Sequence, residues 1–353
     1  MQEKKNIVFL YTELAGYSLA CFRELIKREV NVYVFHYPVN IEAPFKFLPP
    51  SKLNLYDRSL ISIHDFHQQI KNIKPDLIVC SGWIDKDYLA ICKHYFKKIP
   101  TIVAFDNQWK GTLKQRAAIF ASSKLLLNKF SHCWVPGERQ VTFAQKLGFK
   151  YTNILKNLYS ADLNFFQNIF IETYEIKKQK FPHRFIYSGR YLDLKGITDL
   201  WQAFIELQSE TPNDWELWCL GAGNINPIRN HKIKHFGFVQ PSDLINYLAK
   251  TGVFILPSRE EPWGVSVHEF SAAGFPLILS DKVGAEDLFL IEYQNGFIFK
   301  SKHIAELKSK MKTIISKSDS ELISMGLRSN ELSKQITPEV WSQTLLTIFN
   351  VRH

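Results

Sequence analysis

Short, unbroken apolar runs rich in β-branched and aromatic residues recur along the chain, and stretches of helical periodicity separate them. The first series is NIVFLY (6–11), VNVYVFHY (30–37), PDLIVCS (75–81), PTIVAFD (100–106) and HCWVP (132–136), with helix-like stretches such as 18–28 and 63–73 between them. A strand that is apolar on both faces must be covered on both, and alternation with helices supplies that cover only around a parallel sheet. After a polar, charged segment, FQNIFIETYEIKKQKFPHR (166–184), a second series follows: RFIYSGR, WELWCLG, IKHFGFV, GVFILPS and FPLILSD. The chain therefore reads as α/β, with two Rossmann-like doubly wound parallel-sheet domains at about 1–160 and 161–337. A last helical pattern, about 338–353, is expected to pack back across the first domain.

Composition narrows the classes. With 353 residues, 46% of them hydrophobic, the chain has material for two cores. Five scattered cysteines without a C-x-x-C suit neither a disulfide framework nor a zinc site, and point to a reducing cytoplasm. The apolar run Ile7–Tyr11 ends at Thr12 and Glu13, too short for a secretory h-region, and reads as a buried strand. No run approaches the ~18 apolar residues of a membrane span. Residues 1–150 carry 22 Lys and Arg against 12 Asp and Glu, whereas residues 151–353 carry 22 of each. The basic half suits contact with phosphates or an anionic surface, or is simply a solvated face. No motif points to nucleic acid.

Parallel sheets bind ligands at the carboxyl ends of their strands, beside helix N-termini. In PSREEPWGVSVHEFSAAGFPLILSD (257–281) a strand gives way to a loop holding Glu261, then to a helix from about Gly264 that Gly274 closes, with Glu269 inside it. Carboxylates beside an anion-attracting helix end call for neutral donors such as sugar hydroxyls, so the site reads as one for a sugar phosphate. Favourable charge at the helix dipole would explain Glu260 or Glu261 equally well, but not Glu269. In IYSGRYLDLKGITDL (186–200), Arg190 and Lys195 flank a glycine-bounded strand-end loop suited to a diphosphate.

Glu261 and Glu269 in EPWGVSVHEFSAAGFPLILSD, with SGR…KG at 188–196, LGAG at 220–223 and NG at 295–296, resemble the retaining glycosyltransferases of family 4, which have the GT-B fold. The resemblance spans the second domain in order and the first only in layout. It implies two domains facing a central cleft, and sugar transfer with retention, without cofactor or metal. Arg190 and Lys195 would neutralise the leaving diphosphate. Glu261 would meet donor sugar hydroxyls and Glu269 the ribose. Gly189 belongs to the diphosphate loop, Gly264 and Val265 would offer backbone amides, and Phe238 and Val239 would border the base. The first domain departs from the pattern: TELAGYS has only Gly16 where a double-glycine loop is common, and Asp106 in IVAFDNQW stands near a position often held by histidine. Asp106 is expected either to be a catalytic or acceptor-orienting group or to cap the turn after its strand.

The implied task is transfer from a nucleotide sugar to a glycan or lipid-linked acceptor in a bacterial cell-surface polysaccharide such as lipopolysaccharide, O-antigen or capsule. A nucleotide-sugar epimerase or hydrolase of the same fold, and a non-catalytic partner subunit, stay open. GAGNIN (221–226) lacks the third glycine of a dinucleotide fingerprint, and DKD (85–87) is expected to be an exposed turn rather than a metal site. The stretch 109–134 is expected to be a core helix with a solvated basic side, where Ile119, Phe120, Leu126, Leu127 and Phe130 share an arc. Contact with the anionic inner face of the membrane through this basic half is the competing expectation.

Overall fold

In the computed structural model, which describes residues 4–38, 44–46 and 48–350, every strand pairing within the two sheets is parallel. The described residues form two units: 4–38, 48–162 and 336–350 in one, 44–46 and 163–335 in the other.

The first unit runs β1 (Asn6–Tyr11), α1 (Gly16–Lys27), β2 (Asn31–His36), β3 (Leu53–Asp57), α2 (Ile63–Ile73), β4 (Leu77–Ser81), α3 (Lys86–Tyr95), β5 (Thr101–Ala104), α4 (Leu113–Leu125), β6 (His132–Trp134), α5 (Glu138–Lys146) and β7 (Ile154–Leu155). Its sheet order is β3-β2-β1-β4-β5-β6-β7, so the winding reverses between β1 and β4. Successive side chains of β1 enter different cores. Val8 and Leu10 join Phe35, Phe66 and Ile78 in one cluster, and Ile7 and Phe9 join Phe22, Leu25 and Trp341 in the other. This is why β1 shows no polar alternation.

The second unit runs α6 (Leu163–Gln179), β8 (Arg184–Ser188), α7 (Ile197–Glu210), β9 (Glu216–Leu220), β10 (Ile233–His235), α8 (Ile245–Leu248), β11 (Val253–Leu256), α9 (Val265–Ala272), β12 (Leu277–Ser280), α10 (Glu286–Phe289), β13 (Gly296–Phe299), α11 (Ile304–Ile315) and α12 (Asp319–Ser333). Its order, β10-β9-β8-β11-β12-β13, reverses between β8 and β11. The chain then returns to the first unit in α13 (Pro338–Leu346), which packs on α1; Trp341 donates its indole N–H to the Leu158 carbonyl at 2.7 Å. Residues 351–353 lie outside the described residues.

Several local expectations change. The polar segment after residue 160 is the helix α6, whose buried positions Leu163, Phe166, Ile169, Thr173 and Lys177 keep helical spacing. The stretch 109–134 is not one core helix. α4 ends at Leu125, so the shared arc breaks: Leu126 and Phe130 bury in the turn that follows, while Phe120 projects into solvent. DKD is not an exposed turn but a helix start. Asp85 caps α3 by accepting from the Tyr88 amide at 2.8 Å and from the Tyr37 hydroxyl at 2.6 Å, and Asp87 pairs with Arg58 at 2.6 Å. The five cysteines are buried and unbridged. Among the described residues no helix is long and apolar enough to cross a membrane.

Candidate functional site

The winding of the second unit reverses between β8 and β11, and the connections to α7 and α9 leave from the carboxyl ends of these strands, where open parallel sheets bind ligands. These connections hold Gly189, Arg190 and Lys195 on one side and Glu260, Glu261 and Gly264 on the other. Gly196 lets them meet. Its φ is +66°, and a Cβ there would lie 2.1 Å from the Pro257 carbonyl oxygen, so no other residue fits without moving backbone. The Arg259 and Glu260 amides then both donate to the Leu194 carbonyl, at 2.8 and 3.1 Å.

Charge locks the same junction. Lys195 Nζ is ion-paired with Glu261 Oε2, with side chains 21% and 13% exposed, and the Ser258 hydroxyl donates to the same oxygen at 3.3 Å. Arg259, which the sequence reading passed over, reaches the other way. It donates from Nε to Asp199 Oδ2 at 3.0 Å and from Nη2 to Asp199 Oδ1 at 2.6 Å, and pairs with Asp193 as well. Asp199 foremost, with Asp193, raises its pKa further above the usual arginine range. The signal for Arg259 was present as a lone arginine after one switch-point strand and two aspartates around Lys195-Gly196 after the other.

Gly264, at φ +96°, is the N-cap of α9, and no side chain caps that helix. Its first turn therefore presents main-chain donors and the positive end of the helix dipole. Glu269 is half-buried one turn on from Val265, on the same face of α9. Arg190 is exposed at the end of β8, and its carbonyl accepts from the Tyr187 hydroxyl at 2.8 Å. Phe238 and Val239 lie in the loop after β10, half-buried. The Phe238 ring meets Phe45 edge-on at 5.0 Å, and the Gln240 amide side chain holds Pro44 O at 2.9 Å and Lys46 N at 3.1 Å. The structure thus gathers Lys195, Glu261 and Gly264 at one junction and sets Phe238 and Val239 beyond β9.

Gly16 and Asp106 belong to the first unit. Gly16 opens α1 in ordinary helical conformation beside a cavity of about 200 Å³ at the carboxyl ends of β1, β4 and β5, lined among others by Thr12, Glu13, Tyr17, Ser81 and Tyr159. Asp106 follows β5 and accepts from the Tyr159 hydroxyl at 3.4 Å. Burial first, and then the Asp106 charge, raises the Tyr159 pKa well above the usual phenol range.

His268, in the middle of α9, packs into the core. It is buried, stacks on Phe289 at 4.3 Å and donates from Nε2 to the Ser333 carbonyl at 2.8 Å; burial pushes its pKa down to about 4. Between the unfolded value near 6.5 and about 4 the unfolded chain binds a proton that the folded chain does not, so stability falls as pH drops through that window. The second unit should lose on the order of 3 kcal/mol there, and His268→Gln should flatten the slope. Urea titrations at pH 7, 5.5 and 4.5 check this, and equal slopes for both proteins would refute it.

Comparison with known proteins finds a family match over the same part of the chain. Residues 171–325, somewhat under half of the chain, match the family model described as Glycosyl transferases group 1. A glycogen synthase of Mycobacterium tuberculosis is 27% identical over 143 residues, 38% of this chain and 34% of the relative, so the match spans about a third of that protein's length. Among solved structures, a sucrose-phosphate synthase from Thermosynechococcus elongatus has a TM-score of 0.74 at 14% identity over 98% of both chains. A trehalose-6-phosphate protein from E. coli, bound with UDP-2-fluoro glucose, has 0.73 at 11% identity, covering 99% of this chain and 100% of its own. An Anabaena protein in complex with UDP and glucose has 0.71 at 14%, covering 98% and 99%. At such identities the likeness establishes the fold.

Proposed function

We propose that this chain, whose residues 171–325 match the model of the group 1 glycosyl transferases and whose two α/β units have the GT-B fold, is a retaining glycosyltransferase of the family 4 type. Its donor is a nucleotide sugar. Its acceptor is a glycan or lipid-linked sugar of a bacterial cell-surface polysaccharide, met at the cytoplasmic face of the membrane.

The carrying observation is the Lys195–Glu261 pair at the switch point, beside the uncapped start of α9. When a nucleotide sugar enters, Lys195 and Arg190 turn to the diphosphate, the α9 amides at Gly264 and Val265 add their dipole, and Glu261 turns to the sugar hydroxyls. Glu269 takes the ribose, and Phe238 and Val239 border the base. In transfer, the bond from the anomeric carbon to the diphosphate breaks and its electron pair leaves on the phosphate. The acceptor oxygen bonds to that carbon on the same face, and the acceptor proton passes to the departing phosphate oxygen. Fixed cations and dipoles aimed at the leaving charge lower the barrier without reorganising. Asp106, with Tyr159 and the cavity at β1, β4 and β5, orients the acceptor.

Turnover is expected to persist in excess EDTA, because Arg190, Lys195 and α9 supply the positive charge while Asp85 and Asp87 are committed to α3, Tyr37 and Arg58. Loss of activity restored by manganese would refute that part. The donor is found by calorimetric screening of UDP-, GDP-, ADP- and CMP-sugars, UDP-glucose first because similar structures hold UDP with glucose or its fluoro analogue. Conversion of the sugar without acceptor would instead identify an epimerase, and binding without turnover a non-catalytic subunit.

A further inference from the structure

The cavity of the first unit sits where its sheet reverses winding between β1 and β4, the place at which open parallel sheets take their ligands. At about 200 Å³ and the packing density of organic crystals, it holds one sugar ring rather than two. Its polar lining is largely hydroxyl. The Thr12 amide donates to the Ser81 hydroxyl at 2.9 Å, and the two hydroxyls lie 3.3 Å apart. Tyr17 and Tyr159, which meet edge-on at 5.6 Å, and Trp341 of α13 add flat aromatic surface. Such rings cover the C–H face of a sugar while hydroxyls meet its rim.

The charges around the cavity are mostly acidic. Glu13 lines it, exposed, and Asp106 accepts from the Tyr159 hydroxyl. Cys21, another lining residue, feels acids as well: burial foremost, then the Asp162 charge and more weakly Glu339, raise its pKa against Arg23, which is itself paired with Asp162. Among the described residues that line the cavity there is no lysine or arginine, so the basic excess of residues 1–150 does not reach it. The uncapped start of α1, with Tyr17 and Ser18 in the lining, is its positive element. A helix end carries about half a charge, less than the full charge of Glu13 alone.

We infer that the acceptor group entering this cavity is a sugar ring without phosphate or carboxylate, held through its hydroxyls. A phosphate calls for a cation, and here it would meet Glu13, in a half-enclosed site where repulsion exceeds that in water. The inference rests on reading this cavity as the acceptor site of the proposed glycosyltransferase, and it narrows the acceptor.

The test is calorimetric titration of the full chain with glucose, galactose and mannose, each beside its 6-phosphate, with and without a nucleoside diphosphate. At least one hexose should bind, and its 6-phosphate about ten-fold or more weakly. Thr12→Ala with Ser81→Ala should weaken the hexose about five-fold through the lost hydroxyls. Glu13→Lys, at an exposed position where circular dichroism should not change, should raise affinity for the 6-phosphate about ten-fold. A 6-phosphate that binds the wild type as tightly as its hexose would overturn the inference. So would hexose binding that the Thr12 and Ser81 changes leave untouched, or no hexose binding by a chain that binds a nucleoside diphosphate. A chain that binds hexose as expected but neither nucleoside diphosphate nor nucleotide sugar would instead refute the proposed donor and leave the preference of the cavity standing.

Discussion

Lys195→Ala is expected to cut sugar transfer about 100-fold and to weaken binding of the product nucleoside diphosphate about ten-fold, by removing a fixed cation from the leaving charge. The same change leaves Glu261 poorly exposed and without its counter-ion beside the diphosphate, which adds repulsion to the lost attraction. Glu261→Gln should act differently. It keeps the shape and frees Lys195, so nucleoside diphosphate affinity stays near normal while turnover falls with the weakened sugar hydrogen bonds. Glu269→Gln should lower nucleoside diphosphate affinity itself. Calorimetry with the product nucleotide, set beside turnover with the donor, separates the three. If the double change Lys195→Met with Glu261→Met folds and turns over like the wild type, the pair is only a staple between two loops.

Lys177→Met is expected to stabilise the second unit by on the order of 2–4 kcal/mol at neutral pH, the largest stability change anticipated for a single residue here. Lys177 ends α6 in the core, 6% exposed, and its ammonium nitrogen has no hydrogen-bond partner among the described residues. Burial lowers its pKa to about 7. The unfolded chain therefore holds a proton between about 7 and 10.5 that the folded chain gives up, and stability rises with pH through that window. The gain from methionine should be full below about pH 7 and fade towards pH 10.5. The Phe275 ring, 3.6 Å from the nitrogen, opposes this by attracting the charged form. Denaturation of both proteins at pH 6, 8 and 10 decides between the two effects: a gain independent of pH would mean that the lysine stays charged against that ring.

The parallel two-sheet fold was legible because buried strands such as Ile7–Tyr11 of β1 and VFIL of β11 are unbroken apolar runs that need cover on both faces. Strands at sheet edges were harder to see. β3 (LNLYD) is half-exposed and β7 has two residues, so neither makes an apolar run. α6 escaped notice because charges crowd its outer face, although its inner positions keep a helical period. α4 departs from a single continuous helix over 109–134, because the break after Leu125 sends Leu126 inward while Phe120 points out.

At the candidate site, sequence alone located the loops. Gly196 before a helix, Gly264 before another and Gly274 after it mark turns whose backbone only glycine adopts readily, and their places after β8 and β11 follow from strand order. Partners were another matter. That Lys195 meets Glu261, and that Arg259 answers Asp193 and Asp199 across some sixty residues, depends on a sheet order in which β11 lies beside β8. A one-dimensional pattern carries local conformation and burial, because both arise from neighbouring residues. Which charges neutralise one another, and which side chains are left facing solvent, is decided only when distant strands pair and bring their loops to a common edge.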